Sequence, residues 1–346
     1  MSADPAVMPS LISGLDEHWL ALTQEEILEP ELPICDPHHH LWDRPDQRYL
    51  LPDFLADTGS GHRIESTVFL ECGAFYRDQG PEALRPVGEA EFVRGVAAMS
   101  ASGRYGPTRV AAAFVGFADL SLGDAAEAVL TALVEAGGGR FRGVRHSAAR
   151  DPGFVIAGSH GRPPEGLYGD RSFREGFACL GRLGLAFDAW VYHPQIPEVA
   201  DLARSFPEQP ILLNHVGGPI GIAPYAGRRE EVFEQWRAAM RDLSACPNVY
   251  VKLGGLGSKR AGFGWHERPQ PPSSEDLAAA WRPYVETCIE AFGPERCMFE
   301  SNFPVDKASC SYAVLWNAFK RLAAGASADE KAALFRGTAM RFYRID

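Results

Sequence analysis

The stretch Ile34-Cys35-Asp36-Pro37-His38-His39-His40-Leu41-Trp42-Asp43 sets Asp36, His38 and His40 two residues apart. In an extended strand from Ile34 to His40, alternate side chains share a face, so these three are expected together with His39 turned away. Two imidazoles one strand repeat apart can reach a single metal ion or one substrate oxygen. The alternative is a polar strand end whose histidines bond only to their neighbours.

Working outward, apolar runs of strand length recur at Ser66 to Glu71, Val110 to Val115, Phe141 to His146, Leu185 to Val191, Ile211 to His215, Val249 to Leu253 and Cys297 to Asn302. With the opening strand they make eight. Between them lie stretches of helical period: Glu89 to Ser100, Gly123 to Ala136, Ser172 to Leu183, Ile196 to Phe206, Glu230 to Ala245 and Ser274 to Phe292. Strands alternating with helices imply a parallel sheet, and eight such units suit an α/β fold of the (β/α)8 TIM barrel type better than an open doubly wound sheet. No internal repeat or linker-like tract divides the chain. Residues 34–346 are therefore expected as one barrel domain, preceded by an N-terminal extension, 1–33, that packs outside or caps one end and carries no chemistry.

Composition narrows the function. A chain of 346 residues, 46% of them hydrophobic, can bury a large core. Its net charge of −11 leaves no basic stripe for a phosphate backbone, so nucleic acid is not an expected partner. A small anionic substrate remains compatible, because a few arginines in a pocket outweigh a distant surface screened over about 10 Å. The seven cysteines show no CxxC pair or regular spacing and read as reduced thiols of a cytoplasmic protein. The first ten residues have neither a basic segment nor an apolar core, and no uncharged apolar run reaches about 18 residues, so neither export nor membrane insertion is expected. A homo-oligomer is left open.

Active sites of TIM barrels sit at the C-terminal ends of the strands. His38, His39 and His40 end the first strand, His146 the fourth and His215 the sixth, and His193 follows the fifth. Arg145, Lys252, Glu300 and Asn302 lie at the same rim, which makes it the expected site.

With these residues assembled, the chain resembles the metal-dependent hydrolase branch of the amidohydrolase superfamily, in its lactonase-like "amidohydrolase 2" group. The resemblance is carried by ICDPHHHLWD (34–43), PVGEAEFV (86–93), FRGVRH (141–146), NHVGGP (214–219), YVKLGG (250–255) and FESNFPVDK (299–307). It implies a (β/α)8 fold and hydrolysis of a small cyclic ester, either a sugar lactone or a ring-cleavage lactone of aromatic catabolism. It also implies one divalent metal ion, zinc or manganese, at His38 and His40. In the family pattern the eighth strand ends in an aspartate, within a run like GSDWP. Here that residue is Asn302, a candidate catalytic residue whose amide can coordinate a metal through its oxygen or hydrogen-bond a water but carries no negative charge and is no general base, so catalysis without metal is also an open expectation.

The remaining roles follow from chemistry and position. Glu300 shares the inward face with Asn302 and is read as a base or ligand, or as the partner of Lys252 in a buried ion pair. His215, before Gly217 and Gly218, is expected to move a proton. Arg145 is expected to receive a substrate carboxylate or polarise a carbonyl, or else to form a rim salt bridge, with His146 pointing the other way. His193, Lys252, Trp42 and His266 are further candidate substrate contacts. The long segment from Gly254 to Arg282, with Lys259, Arg260, Phe263, Trp265 and His266, is expected to cover the pocket or to meet another subunit. The expected reaction is attack of water on a lactone carbonyl. The alternatives are a nonoxidative decarboxylase or C–C hydrolase of a small aromatic or dienoic acid, and a barrel that binds a metabolite without turning it over.

Overall fold

The computed structural model describes residues 6–8, 10–11, 15–45, 47–156 and 162–346. Eight strands form its centre: β1 (Ile34–His39), β2 (Ile64–Leu70), β3 (Arg109–Gly116), β4 (Phe141–Ser147), β5 (Ala186–Trp190), β6 (Ile211–Leu213), β7 (Val249–Leu253) and β8 (Cys297–Phe299). They pair in parallel in chain order. Each is followed by a helix: α1 (Leu51–Thr58), α2 (Val87–Ala101), α3 (Ala126–Gly137), α4 (Arg171–Arg182), α5 (Ile196–Ser205), α6 (Arg229–Ser244), α7 (Ser274–Phe292) and α8 (Tyr312–Leu322). This is the predicted (β/α)8 barrel. The predicted strands are the observed ones with shifted ends: β6 stops at Leu213 and β8 at Phe299, short of His215 and Asn302.

The helices cover the sheet for ordinary reasons. In α4, Asp170 caps the first turn by accepting from the Phe173 amide at 3.0 Å, and Phe173, Phe177 and Leu180 bury one stripe. Each such side chain contributes roughly 1.5–3 kcal/mol of burial. At the start of α7, Ser273 and Asp276 exchange side-chain to backbone hydrogen bonds at 3.1 Å.

Closure of the barrel occurs at the predicted site. The Asn302 amide donates to the His38 carbonyl at 2.9 Å and the His40 amide to the Phe303 carbonyl at 2.8 Å, around a parallel bridge between His39 and Phe303. Pairing of β1 with β2 is irregular between Asp36 and His39, around Pro37, which has no N–H for the ladder. Cys35 lies inside the barrel with Val68, Leu70, Ala113, Val115, Leu212 and Met298, whereas the Asp36 carboxylate accepts from the Tyr312 hydroxyl of α8 at 2.9 Å. The expected common face of Asp36, His38 and His40 is therefore corrected: the irregularity breaks the period of two and removes Asp36 from it. His39 does point away, stacked on Phe54 at 4.0 Å with Nε2 2.9 Å from Thr67 Oγ1.

The opposite end of the barrel is plugged. The last helix, α9 (Thr338–Tyr343), and the tail behind it insert Tyr343 and Ile345 into the interior cluster. Arg142 Nε fixes the plug by donating to the Tyr343 carbonyl at 2.8 Å.

Within the extension, residues 1–5, 9 and 12–14 lie outside the described residues. Trp19 Nε1 donates to the Arg268 carbonyl at 2.9 Å and Thr23 Oγ1 to the Pro271 carbonyl at 2.8 Å, in the loop before α7. Lys320 Nζ of α8 donates to the Leu28 and Glu29 carbonyls at 2.7 and 2.8 Å. Ala6–Met8 pairs in parallel with Phe154–Ile156 beside the mouth of the barrel. Among the described residues, no helix is long and apolar enough to cross a membrane.

Candidate active site

A cavity of about 370 Å³ opens at the C-terminal ends of the strands. His40, Arg145, His215 and Asn302 meet there, walled by Trp42, Arg44, Tyr76, Trp190 and Arg260, with Ser10 and Leu11 of the extension at its edge.

His215 lies just beyond β6 with φ +55°, followed by Val216 at φ +46°. A β-branched residue in that region is strained, and such strain persists only where surrounding structure enforces it. Here Glu300 supplies the anchor. Its Oε1 accepts from the His215 amide at 3.1 Å and lies 2.7 Å from Nδ1, leaving Nε2 as the nitrogen available to the cavity. Two glycines after β7 make room: a β-carbon at Gly254 would stand 2.4 Å from Glu300 Cγ, and one at Gly255 would stand 2.5 Å from His215 Cβ.

Below the cavity floor runs a buried polar column. Glu300 Oε2 is 2.7 Å from His38 Nδ1, though out of line for a hydrogen bond. Lys252 Nζ lies 3.3 Å from the same nitrogen and donates to Asp188 Oδ2 at 2.8 Å. Asp188 Oδ2 also accepts from Asn214 Nδ2 at 2.9 Å and from the Tyr343 hydroxyl of the plug at 2.9 Å. Burial raises the Glu300 carboxyl to about 8 against the pull of Lys252. Burial likewise holds His38, His40 and His215 well below the usual imidazole range, aided chiefly by the Lys252, Arg145 and Arg260 cations respectively. All three imidazoles are neutral at neutral pH, as ligands or proton acceptors must be.

The donor set fits a divalent ion. His40 Nδ1 is 2.8 Å from the Leu70 carbonyl and so carries the hydrogen, which leaves the Nε2 lone pair facing His38 Nε2 at 3.2 Å. Two nitrogens each bound to one tetrahedral zinc stand about 3.3 Å apart, and a carbonyl on the other ring nitrogen is the usual support of a metal-bound histidine. Donor atoms of His38, His215 and Glu300 also lie within 4.8 Å of one another. With a proton in place of an ion, the same atoms form a hydrogen-bonded chain from Lys252 through His38 and His40 to the Leu70 carbonyl.

Asn302 is at φ +55°, a conformation asparagine tolerates. Its Nδ2 donates to Asp306 Oδ1 at 2.8 Å, and Asp306 Oδ2 accepts from the Gly257 amide at 2.9 Å. The amide nitrogen is thereby engaged, and the side-chain oxygen is the atom left for the cavity.

The amidohydrolase family profile matches residues 35–345. The chain belongs to the amidohydrolase family. It is 34% identical over 345 residues to an uncharacterised protein of Sinorhizobium fredii, covering 91% of this chain and 99% of that one. It is 30% identical over 327 residues to the L-fucono-1,5-lactonase of Burkholderia multivorans, covering 90% and 95%. Among solved structures, an amidohydrolase from Burkholderia multivorans with bound zinc superimposes with a TM-score of 0.69 at 26% identity, covering 90% of this chain and 99% of its own.

Placed in this amidohydrolase barrel, the residues singled out from the sequence separate into two layers and a remainder. His40, His215, Arg145, Asn302 and Trp42 line the cavity. His38, Glu300 and Lys252 are fully buried and do not line it, so the expectation that Lys252 contacts substrate is corrected. The expected Lys252–Glu300 ion pair is corrected too, since Lys252 pairs with Asp188. Arg145 is no free anion receptor: its Nε donates to Glu71 Oε1 at 2.6 Å and its Nη2 to the Glu71 carbonyl at 2.5 Å. His193 lies off the cavity wall, edge-on to Tyr225 at 5.1 Å, and His266 is half-buried beside Glu267. His146 packs outward between Phe117 and Phe173, as expected. Asp188 went unrecognised, although an aspartate inside the run Leu185 to Val191 was the available signal. Arg44 left no signal, because nothing in the sequence places it over Trp42.

Proposed function

We propose that the protein hydrolyses a small lactone by attack of water on the ring carbonyl. The observation that carries this reading is the His215–Glu300 contact of 2.7 Å, which orients a neutral imidazole into a cavity it shares with Arg145 and Asn302. The names of the lactonase relatives support the same substrate class.

His215 Nε2 takes the proton of the attacking water, and Glu300 in its ionised form, which predominates above about pH 8, stabilises the imidazolium that forms. The Asn302 side-chain oxygen positions that water by accepting its second hydrogen. Arg145, held rigid by Glu71, donates to the carbonyl oxygen as it gains charge. As the ring C–O bond breaks, His215 returns its proton to the departing alkoxide, giving the hydroxy acid. His38 and His40, with His215 and Glu300 nearby, would hold a divalent ion such as zinc or manganese. When bound, such an ion supplies polarisation of the carbonyl or an acidified water.

The test is acid release from a panel of lactones: L-fucono-1,5-lactone, other aldonolactones and carboxylated lactones. At least one is expected to be opened at a rate well above its spontaneous hydrolysis, and no release from any member overturns the reading. Metal analysis of the purified protein is expected to find about one divalent ion per chain, removed by chelation with loss of turnover and restored with zinc or manganese.

A further inference from the structure

The charge of the cavity runs against that of the whole chain. Its described lining residues include three arginines, Arg44, Arg145 and Arg260, against one glutamate, Glu71, a balance of +2 in a protein of net charge −11. Arg145 is matched by Glu71. Arg44 and Arg260 have no carboxylate partner among the described residues.

Arg260 is the more telling of the two. It is 1% exposed, its Nη1 donates to the Pro219 carbonyl at 2.6 Å and its Nη2 to the Gly255 carbonyl at 3.1 Å, and its Nε has no partner. The guanidinium lies 5.0 Å over the ring of Trp190, another cavity residue. Burial pushes it down to about 10, which leaves it charged at neutral pH. Asp306 and Glu300 act on its charge from a distance, but its side-chain hydrogen bonds go only to carbonyls, and a buried cation with no carboxylate in direct contact is costly to keep. Arg44 repeats the arrangement: its guanidinium lies 4.4 Å over Trp42 and its Nη2 donates to the Cys72 carbonyl at 3.0 Å. Two arginines are thus stacked on tryptophans and held by carbonyls around one cavity, with donors left for an incoming anion.

We propose that the substrate is a lactone bearing a carboxylate, which Arg260 receives on the Trp190 wall while Arg44 on the Trp42 wall adds to the same positive field. This rests on the lactone reading and narrows it, because L-fucono-1,5-lactone, for which the Burkholderia relatives are named, is uncharged. A cavity of about 370 Å³ holds a five- or six-membered ring with such a substituent.

The experiment compares a γ-lactone carboxylate with its carboxamide, two rings of nearly equal shape that differ in charge. The wild type is expected to favour the carboxylate at least tenfold in kcat/KM. Arg260→Gln is expected to bring the two values together, mainly through KM for the carboxylate, with Arg260→Lys recovering part of the preference. Because Arg260 also ties two carbonyls, Arg44→Gln serves as a second variant, expected to reduce the preference several-fold, and the wild-type ratio needs no variant at all. Equal wild-type values overturn the proposal. So does an Arg260→Gln loss of kcat that is the same for both rings, which would make Arg260 a carbonyl-polarising group. If neither ring is opened, the lactone reading is judged by the panel above, and calorimetric binding of the ring-opened hydroxy dicarboxylate against its monoamide judges the anion site alone. A tenfold preference for the dicarboxylate that Arg260→Gln abolishes upholds the site, and equal affinities overturn it.

Discussion

At the scale of single residues, the reading turns on His215 and on what seats it. His215→Asn removes the nitrogen that faces the cavity, and kcat is expected to fall roughly 10²–10⁴-fold while the circular dichroism spectrum is retained; undiminished kcat would show that the proton goes elsewhere. Gly254→Ala tests the seat of Glu300 without touching a catalytic atom. The added methyl meets Glu300 Cγ at 2.4 Å, so the carboxylate must move. A loss of about 1–3 kcal/mol in stability is expected, measured by denaturant unfolding, together with a fall in kcat of at least about tenfold. The histidines of this site were legible because they stand at strand ends, where the barrel fold puts chemistry. Partners were not. Lys252 and Glu300 lie on adjacent strands and invite pairing, yet the lysine reaches past β6 to Asp188 on β5. Strand order gives neighbours along the wall of a barrel, whereas side chains meet across its interior.

At the scale of elements, the sequence placed all eight strands and the six helices it marked to within a few residues, since runs of β-branched and apolar residues alternate cleanly with helical periods. It missed the irregularity in β1, because a period-of-two argument assumes an unbroken ladder and Pro37 interrupts it. Contact between α8 and the extension also lay beyond it, and it yields a prediction about acid. His62, before β2, has Nε2 3.0 Å from the Ala313 carbonyl and Nδ1 2.9 Å from Lys320 Nζ. An ammonium can only donate, so Nδ1 is an acceptor and the ring is neutral. Burial, reinforced by Lys320, pushes His62 down to about 4. Between the ordinary histidine value near 6.5 and about 4, the unfolded chain binds a proton that the folded one refuses, so stability falls as pH falls through that window. The loss should be on the order of 2 kcal/mol by pH 5, read as a lower denaturant midpoint, and NMR of the His62 ring should show it still neutral there. A His62 that titrates near 6.5 in the native protein contradicts this account.

At the scale of the whole molecule, the C-terminal plug and the candidate active site belong to one structure. Tyr343 enters the barrel from below and donates to Asp188, which holds Lys252 beneath His38. Tyr343→Phe is expected to cost about 1 kcal/mol in unfolding free energy, the ordinary value of a buried hydrogen bond. It is also expected to shift the pH profile of kcat/KM, because Lys252 would then face an aspartate that has lost one donor; an unchanged profile would confine Tyr343 to packing. The fold and the end of the barrel at which His38, His40 and His215 gather were determined by the sequence alone, because periodicity and strand ends are local properties of the chain. Only the tertiary structure decided which residues face the cavity, that Arg145 is already matched by Glu71 while Arg260 is not, and that Lys252 pairs with Asp188. Those outcomes depend on distances across the barrel and on the exclusion of water, and neither is set by spacing along the chain.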